Sequence, residues 1–176
     1  MAAEAGGGGS SSESGTPGGG TPANVEEVAI SNLGTYLAAK PANDAGSAYK
    51  IKITGLTAAN YTLIRAALRA NDTKYVDLSA TVLPGEITIM QQCFMNCISL
   101  VQAPVIPNGV TNMISCFYSC TSLKTVQINT TVCTLWKDCF FNCTSITSIT
   151  VPDATVQTTI AGAIGNSAVS SKITIK

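Results

Sequence analysis

The stretch Cys93-Phe94-Met95-Asn96-Cys97-Ile98-Ser99-Leu100 returns as Cys116-Phe117-Tyr118-Ser119-Cys120-Thr121-Ser122-Leu123, and again as Cys139-Phe140-Phe141-Asn142-Cys143-Thr144-Ser145-Ile146. Both steps are 23 residues. Each block runs on into a spaced apolar segment: Leu100, Ala103, Val105; then Leu123, Val126, Ile128; then Ile146, Ile149, Val151. Apolar residues two apart mark a strand with one face turned inward, here with a turn before it. One such unit cannot bury its own apolar face, so the copies must stack. The spacing predicts a solenoid in which each short strand pairs in parallel with the next and Phe94, Phe117 and Phe140 lie one over another inside.

The apolar, x, apolar signature extends outward in weaker form through Ile51/Ile53, Val76/Leu78 and Ile173/Ile175. Six rungs follow, with first members at Ile51, Val76, Ala103, Val126, Ile149 and Ile173 and steps of 25, 27, 23, 23 and 24 residues. The longest step is expected to carry its extra residues in a loop over 79–86, because Ile87 and Met90 again stand 23 before Val110 and Met113. A parallel ladder leaves unpaired backbone groups at its two ends. The helical segment 58–70 is expected to cap the start and 171–176 the finish, with Lys172 and Lys176 guarding the last strand against edge-to-edge pairing.

Upstream, Asn24-Val25-Glu26-Glu27 has the form of a capping box, and Val25, Val28, Leu33, Tyr36 and Leu37 recur at near-helical spacing as far as Lys40-Pro41. This predicts a helix over 24–40, a loop over 41–47 and a strand over 49–53. A second helix over 58–70, opened by Thr57, is expected to bury Leu63, Ile64, Ala67 and Leu68 and to turn Arg65 and Arg69 toward water. The domain reading is a flexible Gly/Ser-rich tether over 1–23 and one solenoid domain over 24–176, made of a helical cap (24–70) and repeats (71–176). The fold class is therefore α/β: a short repeat solenoid with a parallel β-ladder and N-terminal capping helices. No charged segment with an apolar run precedes the tether and no apolar run of 18 residues occurs. Either the protein is cytosolic or an export signal has been cut away ahead of Met1, and a glycine-rich leader in front of a compact domain fits the second better.

Composition narrows the function. Ten basic and ten acidic residues cancel, and charged residues are 11% of the chain, so there is no electrostatic footprint for nucleic acid or an anionic membrane. The chain has no histidine, which removes imidazole acid/base chemistry, His-activated nucleophiles and His-based metal sites together. Asp77, Glu86, Asp138 and Asp153 are dispersed rather than paired. The chain is read as not an enzyme, and no catalytic, cofactor-binding or metal-ligating residue is nominated.

The Cys-Phe-x-x-Cys-x-Ser-Leu block followed by Val-x-Ile, repeated at 23, resembles the bacterial BspA-like leucine-rich repeat family, whose usual repeat reads Ala-Phe-x-x-Cys-x-Ser-Leu-x-x-Ile-x-Ile-Pro. The resemblance covers roughly Tyr49 to Lys176 and is strongest from Cys93 to Pro152. The chain departs from the pattern with cysteine at the usual alanine in Cys93, Cys116 and Cys139, with Asn129 for the usual proline, and with few repeats. The resemblance implies a secreted or lipid-anchored surface protein of a host-dwelling bacterium, with a role in adhesion to a host extracellular protein or another surface protein. It also implies that the outer strand face is concave and binds. By alignment that face presents Tyr75 and Asp77, Gln102 and Pro104, Thr125 and Gln127, Ser148 and Thr150. Outside this binding-module reading stands a structural spacer with no dedicated ligand, since Thr and Gln also suit any exposed strand.

Cys93/Cys97, Cys116/Cys120 and Cys139/Cys143 are each four apart, and Cys133 is the odd one out. If each block is a helical turn, stacking at about 4.8 Å per rung aligns two columns of sulfur. Buried thiol ladders that pack as small hydrophobes are the preferred reading, with disulfides and zinc as the alternatives. Trp136 stands where Met113 and Met90 do and is expected inside. Sequons at Asn60, Asn71, Asn129 and Asn142 are read as chance.

Overall fold

The computed structural model describes residues 24–164 and 167–176; the tether expected over 1–23 lies outside the described residues. Strands β1 (Glu26–Ala29), β2 (Tyr49–Thr54), β3 (Val76–Asp77), β4 (Leu100–Gln102), β5 (Thr125–Gln127), β6 (Ser148–Val151) and β7 (Ile173–Ile175) form one sheet in chain order. Every pairing is parallel. Helices α1 (Leu33–Ala39), α2 (Leu63–Ala70), α3 (Ala154–Ala163) and α4 (Ser167–Ser170) occupy the connections at the two ends of the array. This is the α/β solenoid expected from the repeat.

Inside, the three phenylalanines stack. Phe94 and Phe117 have ring centroids 5.3 Å apart and planes 1° from parallel; Phe117 and Phe140 are 5.5 Å apart at 9°. All three are fully buried, with Met90, Met113 and Trp136 forming a parallel column. The Trp136 indole N–H is satisfied by the Cys133 carbonyl at 3.0 Å.

The cysteine blocks are not the helical turns supposed above. Gln92 and Asn96, Ser115 and Ser119, Asp138 and Asn142 all have positive φ, between 51° and 62°. None is β-branched, as the left-handed region demands of non-glycine residues. Two left-handed residues four apart bracket each turn, and every second N–H between them points toward the next rung. Gln92, Phe94 and Asn96 donate to the carbonyls of Ile114, Cys116 and Tyr118 at 3.0, 2.8 and 2.8 Å, and Ser115, Phe117 and Ser119 repeat the pattern on the following copy. The turn is thus a second ladder, and this is how the inner polar backbone is satisfied without a helix.

The strand register differs from the expected one at one step. Tyr49 pairs with Val76 and Asp77 with Gln102, so Leu78, not Val76, continues the column of Ile51 and Ala103. The 27-residue step therefore lies between β2 and β3, where α2 needs more chain than a cysteine block does. The 79–86 loop keeps a smaller insertion, and it serves the ladder. Thr81, buried at 1% exposure, accepts the Ile53 N–H at 2.9 Å and donates to the Ile51 carbonyl at 3.1 Å, standing in for strand where the two-residue β3 has run out.

At the N-terminus the capping-box helix is not formed. Residues 26–29 make β1, in register with Ile51 to Thr54, and the helix starts only at Leu33 after a short 3-10 turn. The open edge of β2 offers hydrogen bonds that a local capping signal cannot match, and Val28 packs inward beside Ile53. The start of the array is thus β1 and α1, and α2 lies one layer in. Lys40 locks this end, bonded to Glu26 at 2.9 Å and lying over the Tyr36 and Tyr49 rings at 4.7 and 5.3 Å from their centroids. The second helix also begins later than expected. Thr57 opens a turn by accepting the Ala59 N–H, α2 starts at Leu63, and Leu63 is exposed while Ile64 and Leu68 are buried. At the far end α3 was unforeseen although its signals are present: Asp153 caps it by accepting the Val156 N–H at 2.9 Å, and Val156, Ile160 and Ile164 recur every fourth residue on its buried side.

Candidate functional site

The outer face of the sheet is built by alternation: between inward residues, each strand presents one or two side chains outward. The register aligns Lys50, Asp77, Gln102, Thr125 and Ser148 in one column across β2 to β6. A second column runs through Gln127, Thr150 and Thr174. Of the eight residues expected on this face, Asp77, Gln102, Thr125, Gln127, Ser148 and Thr150 stand in these columns and Tyr75 flanks them, but Asp77 and Pro104 are not solvent-facing as expected. Asp77 is only 5% exposed, and Pro104 is buried. Pro104, which has no N–H to give a ladder, lies just past β4, where the chain carries one more residue between Gln102 and Ile106 than between their partners Thr125 and Ile128, so that Ile106 rather than Val105 takes the inward place beside Ile128.

A loop explains the burial of Asp77. Residues 41–48 fold back over the face instead of away from it. Asn43 fastens the loop to Tyr75, its carboxamide oxygen accepting the Tyr75 N–H at 2.7 Å and its NH2 donating to the Tyr75 carbonyl at 3.1 Å. Asp44 then accepts the N–H groups of Gly46 and Ser47 at 2.8 and 2.9 Å, which holds its carboxyl below the usual carboxylate range. The loop reaches as far as Lys124, whose ammonium donates to the Ala45 carbonyl at 3.2 Å. Between loop and sheet lies a cleft of about 230 Å³ lined by Lys50, Asp77, Val101, Gln102 and Lys124. The face is therefore in two parts: a roofed part around Asp77 and Gln102, with Tyr75 sewn to the roof, and an open part carrying Thr125, Gln127, Ser148 and Thr150. Lys124 is read from the sequence as a charge near this face; Lys50 and the roof itself are not. Asp44-Ala45-Gly46-Ser47 is legible as a turn, but nothing local says which way it folds.

The cysteines form the buried ladders. All seven are free thiols and buried. The Cys120 and Cys143 thiols donate to the carbonyls of Phe94 and Phe117, one rung back, each at 3.0 Å. Burial pushes the thiols of Cys93, Cys97 and Cys143 up to about 12, and those of Cys116, Cys120 and Cys139 well above their ordinary value. Among the described residues no group of three His, Cys, Asp or Glu is placed to hold a metal ion.

A family model for the BspA type leucine-rich repeat region matches residues 73–176, in six copies. The chain belongs to the BspA-type leucine-rich repeat family. The matched repeats begin just before β3, so in this BspA-type chain β1, β2 and the two helices after them lie ahead of the matched region yet continue its ladder without a break in strand order. Among curated proteins and among solved structures nothing matches the chain. No described helix is long and apolar enough to cross a membrane.

Proposed function

We propose that this BspA-type chain is a protein-binding module, secreted or lipid-anchored at the cell surface, that serves adhesion through the open part of its sheet face. One observation carries the reading. Thr125 stands beside Ser148 and Gln127 beside Thr150 on paired strands, and the hydroxyls of Ser148 and Thr150 make no hydrogen bond within the described residues. A rigid backbone thus presents a row of reachable donors and acceptors, ready to be satisfied by a partner at little ordering cost. Lys124 borders the row, and no carboxylate stands among these four residues. Family resemblance supports display outside the cytoplasm. The role is binding without chemistry.

Surface plasmon resonance on a panel of immobilised extracellular-matrix proteins tests this reading. The full chain should bind at least one member, and the double variant Gln127→Arg, Thr150→Arg should abolish that binding while its melting temperature stays that of the parent. Binding that survives the double variant, or none by the parent, assigns the chain to a spacer role instead.

A further inference from the structure

We infer that the roofed cleft over β2 to β5 is a saccharide subsite that takes one sugar ring through neighbouring hydroxyl groups. The inference does not rest on the protein-binding reading, which uses the other half of the face.

The argument is a count of unspent hydrogen-bonding capacity. Asp77 is almost wholly buried, yet only its Oδ1 is used, accepting the Ser79 N–H at 2.9 Å; Oδ2 has no partner among the described residues. Gln102 accepts the Thr125 hydroxyl with Oε1 at 3.2 Å, leaving its NH2 free. The Lys50 ammonium makes no hydrogen bond or ion pair among the described residues, and that of Lys124 spends one of three protons on the Ala45 carbonyl. Lys50, Asp77 and Gln102 stand in register on successive strands, about 4.8 Å apart per strand. Buried Val101 supplies an apolar wall.

The signs of the charges choose the guest. A carboxylate entering the cleft would meet Asp77, and an ammonium would meet Lys50 and Lys124. Asp44, the remaining acid of the roof, is already engaged by Gly46 and Ser47. A neutral pair of adjacent hydroxyls suits both signs at once: each donates to Asp77 Oδ2 and accepts from the Gln102 amide or a lysine. The C–H face of the ring would lie on Val101, the mix of apolar wall and few polar groups usual in small-molecule sites. At about 230 Å³ the cleft has room for one ring and not for a folded peptide.

Saturation-transfer NMR on the full chain, with a panel of methyl glycosides of common hexoses, deoxyhexoses and N-acetylhexosamines, tests the assignment. At least one glycoside should show transfer. Asp77→Asn keeps the acceptor for Ser79 and should weaken that glycoside tenfold or more. Lys50→Met, a change at an exposed side chain with nothing to unfold, should weaken it as well. The Gln127→Arg, Thr150→Arg variant should bind the glycoside as the parent does, which separates this subsite from the protein-binding face. Absence of transfer from every glycoside, or transfer unaffected by both Asp77→Asn and Lys50→Met, overturns the inference.

Discussion

Replacing each stacked phenylalanine by leucine should cost unequal amounts of stability, because the rings have unequal numbers of ring neighbours. Phe117 is stacked on both sides, at 5.3 and 5.5 Å, whereas Phe94 and Phe140 each have one such partner. A stacked aromatic pair contributes about 0.5–1.5 kcal/mol beyond the area it buries. Phe117→Leu therefore loses about 1–3 kcal/mol of stacking, and Phe94→Leu or Phe140→Leu about half of that, on top of a burial loss common to all three fully buried sites. Double-mutant cycles sharpen the test. The 94/117 and 117/140 pairs should each show a coupling of about 0.5–1.5 kcal/mol, and the 94/140 pair, which shares no contact, should be additive within about 0.5 kcal/mol. Urea denaturation followed by the fluorescence of Trp136, the single tryptophan and itself buried, reads all of these. Equal costs at the three positions, or a 94/140 coupling as large as that of 94/117, would refute a rung-by-rung column and point to a core that responds as one body.

Two further outcomes are expected. Thr81→Val keeps the shape of a buried residue but orphans the Ile53 N–H and the Ile51 carbonyl, so it should lower stability by about 2–4 kcal/mol in urea denaturation; a loss under about 1 kcal/mol would show that the ladder does not need that hydroxyl. The thiols set an alkaline limit: Cys93, Cys97 and Cys143 keep their protons to about 12 when folded against an ordinary 9.0, so the unfolded chain releases them first. Their contribution is whole below pH 9 and is lost as pH rises toward 12, by about 1.4 kcal/mol per thiol per pH unit, and a urea midpoint that stays flat through that range would contradict it.

How these residues could be read before the structure depended on whether their role was periodic. The 23-residue recurrence is a statement about stacking, since side chains with the same offset in identical units must lie over one another. Phe94, Phe117 and Phe140, the two cysteine columns and the interior place of Trp136 all follow from it. Non-repeating parts lacked that constraint. Asn24 to Glu27 carries both a capping signal and a strand's worth of β-compatible residues, and the exposed edge of β2 chose between them. Val76 and Leu78 are equally apolar, so only pairing across to Tyr49 and Gln102 could set their register. Pro104 faces outward by alternation, and only the pairing of Gln102 to Thr125 and of Ile106 to Ile128 reveals the extra residue that breaks it.

By itself the amino-acid sequence determined that this chain stacks: a unit too small to bury its own apolar side has no other stable arrangement, and its period says which residues meet. It also determined that no histidine chemistry occurs. Only tertiary structure decided where the ladder begins, which loop lies over which strands, and so which part of the face is roofed and which is open. The reach of Lys124 to the Ala45 carbonyl spans 79 residues of chain, and a contact made at that distance leaves no periodic trace for a local pattern to reveal.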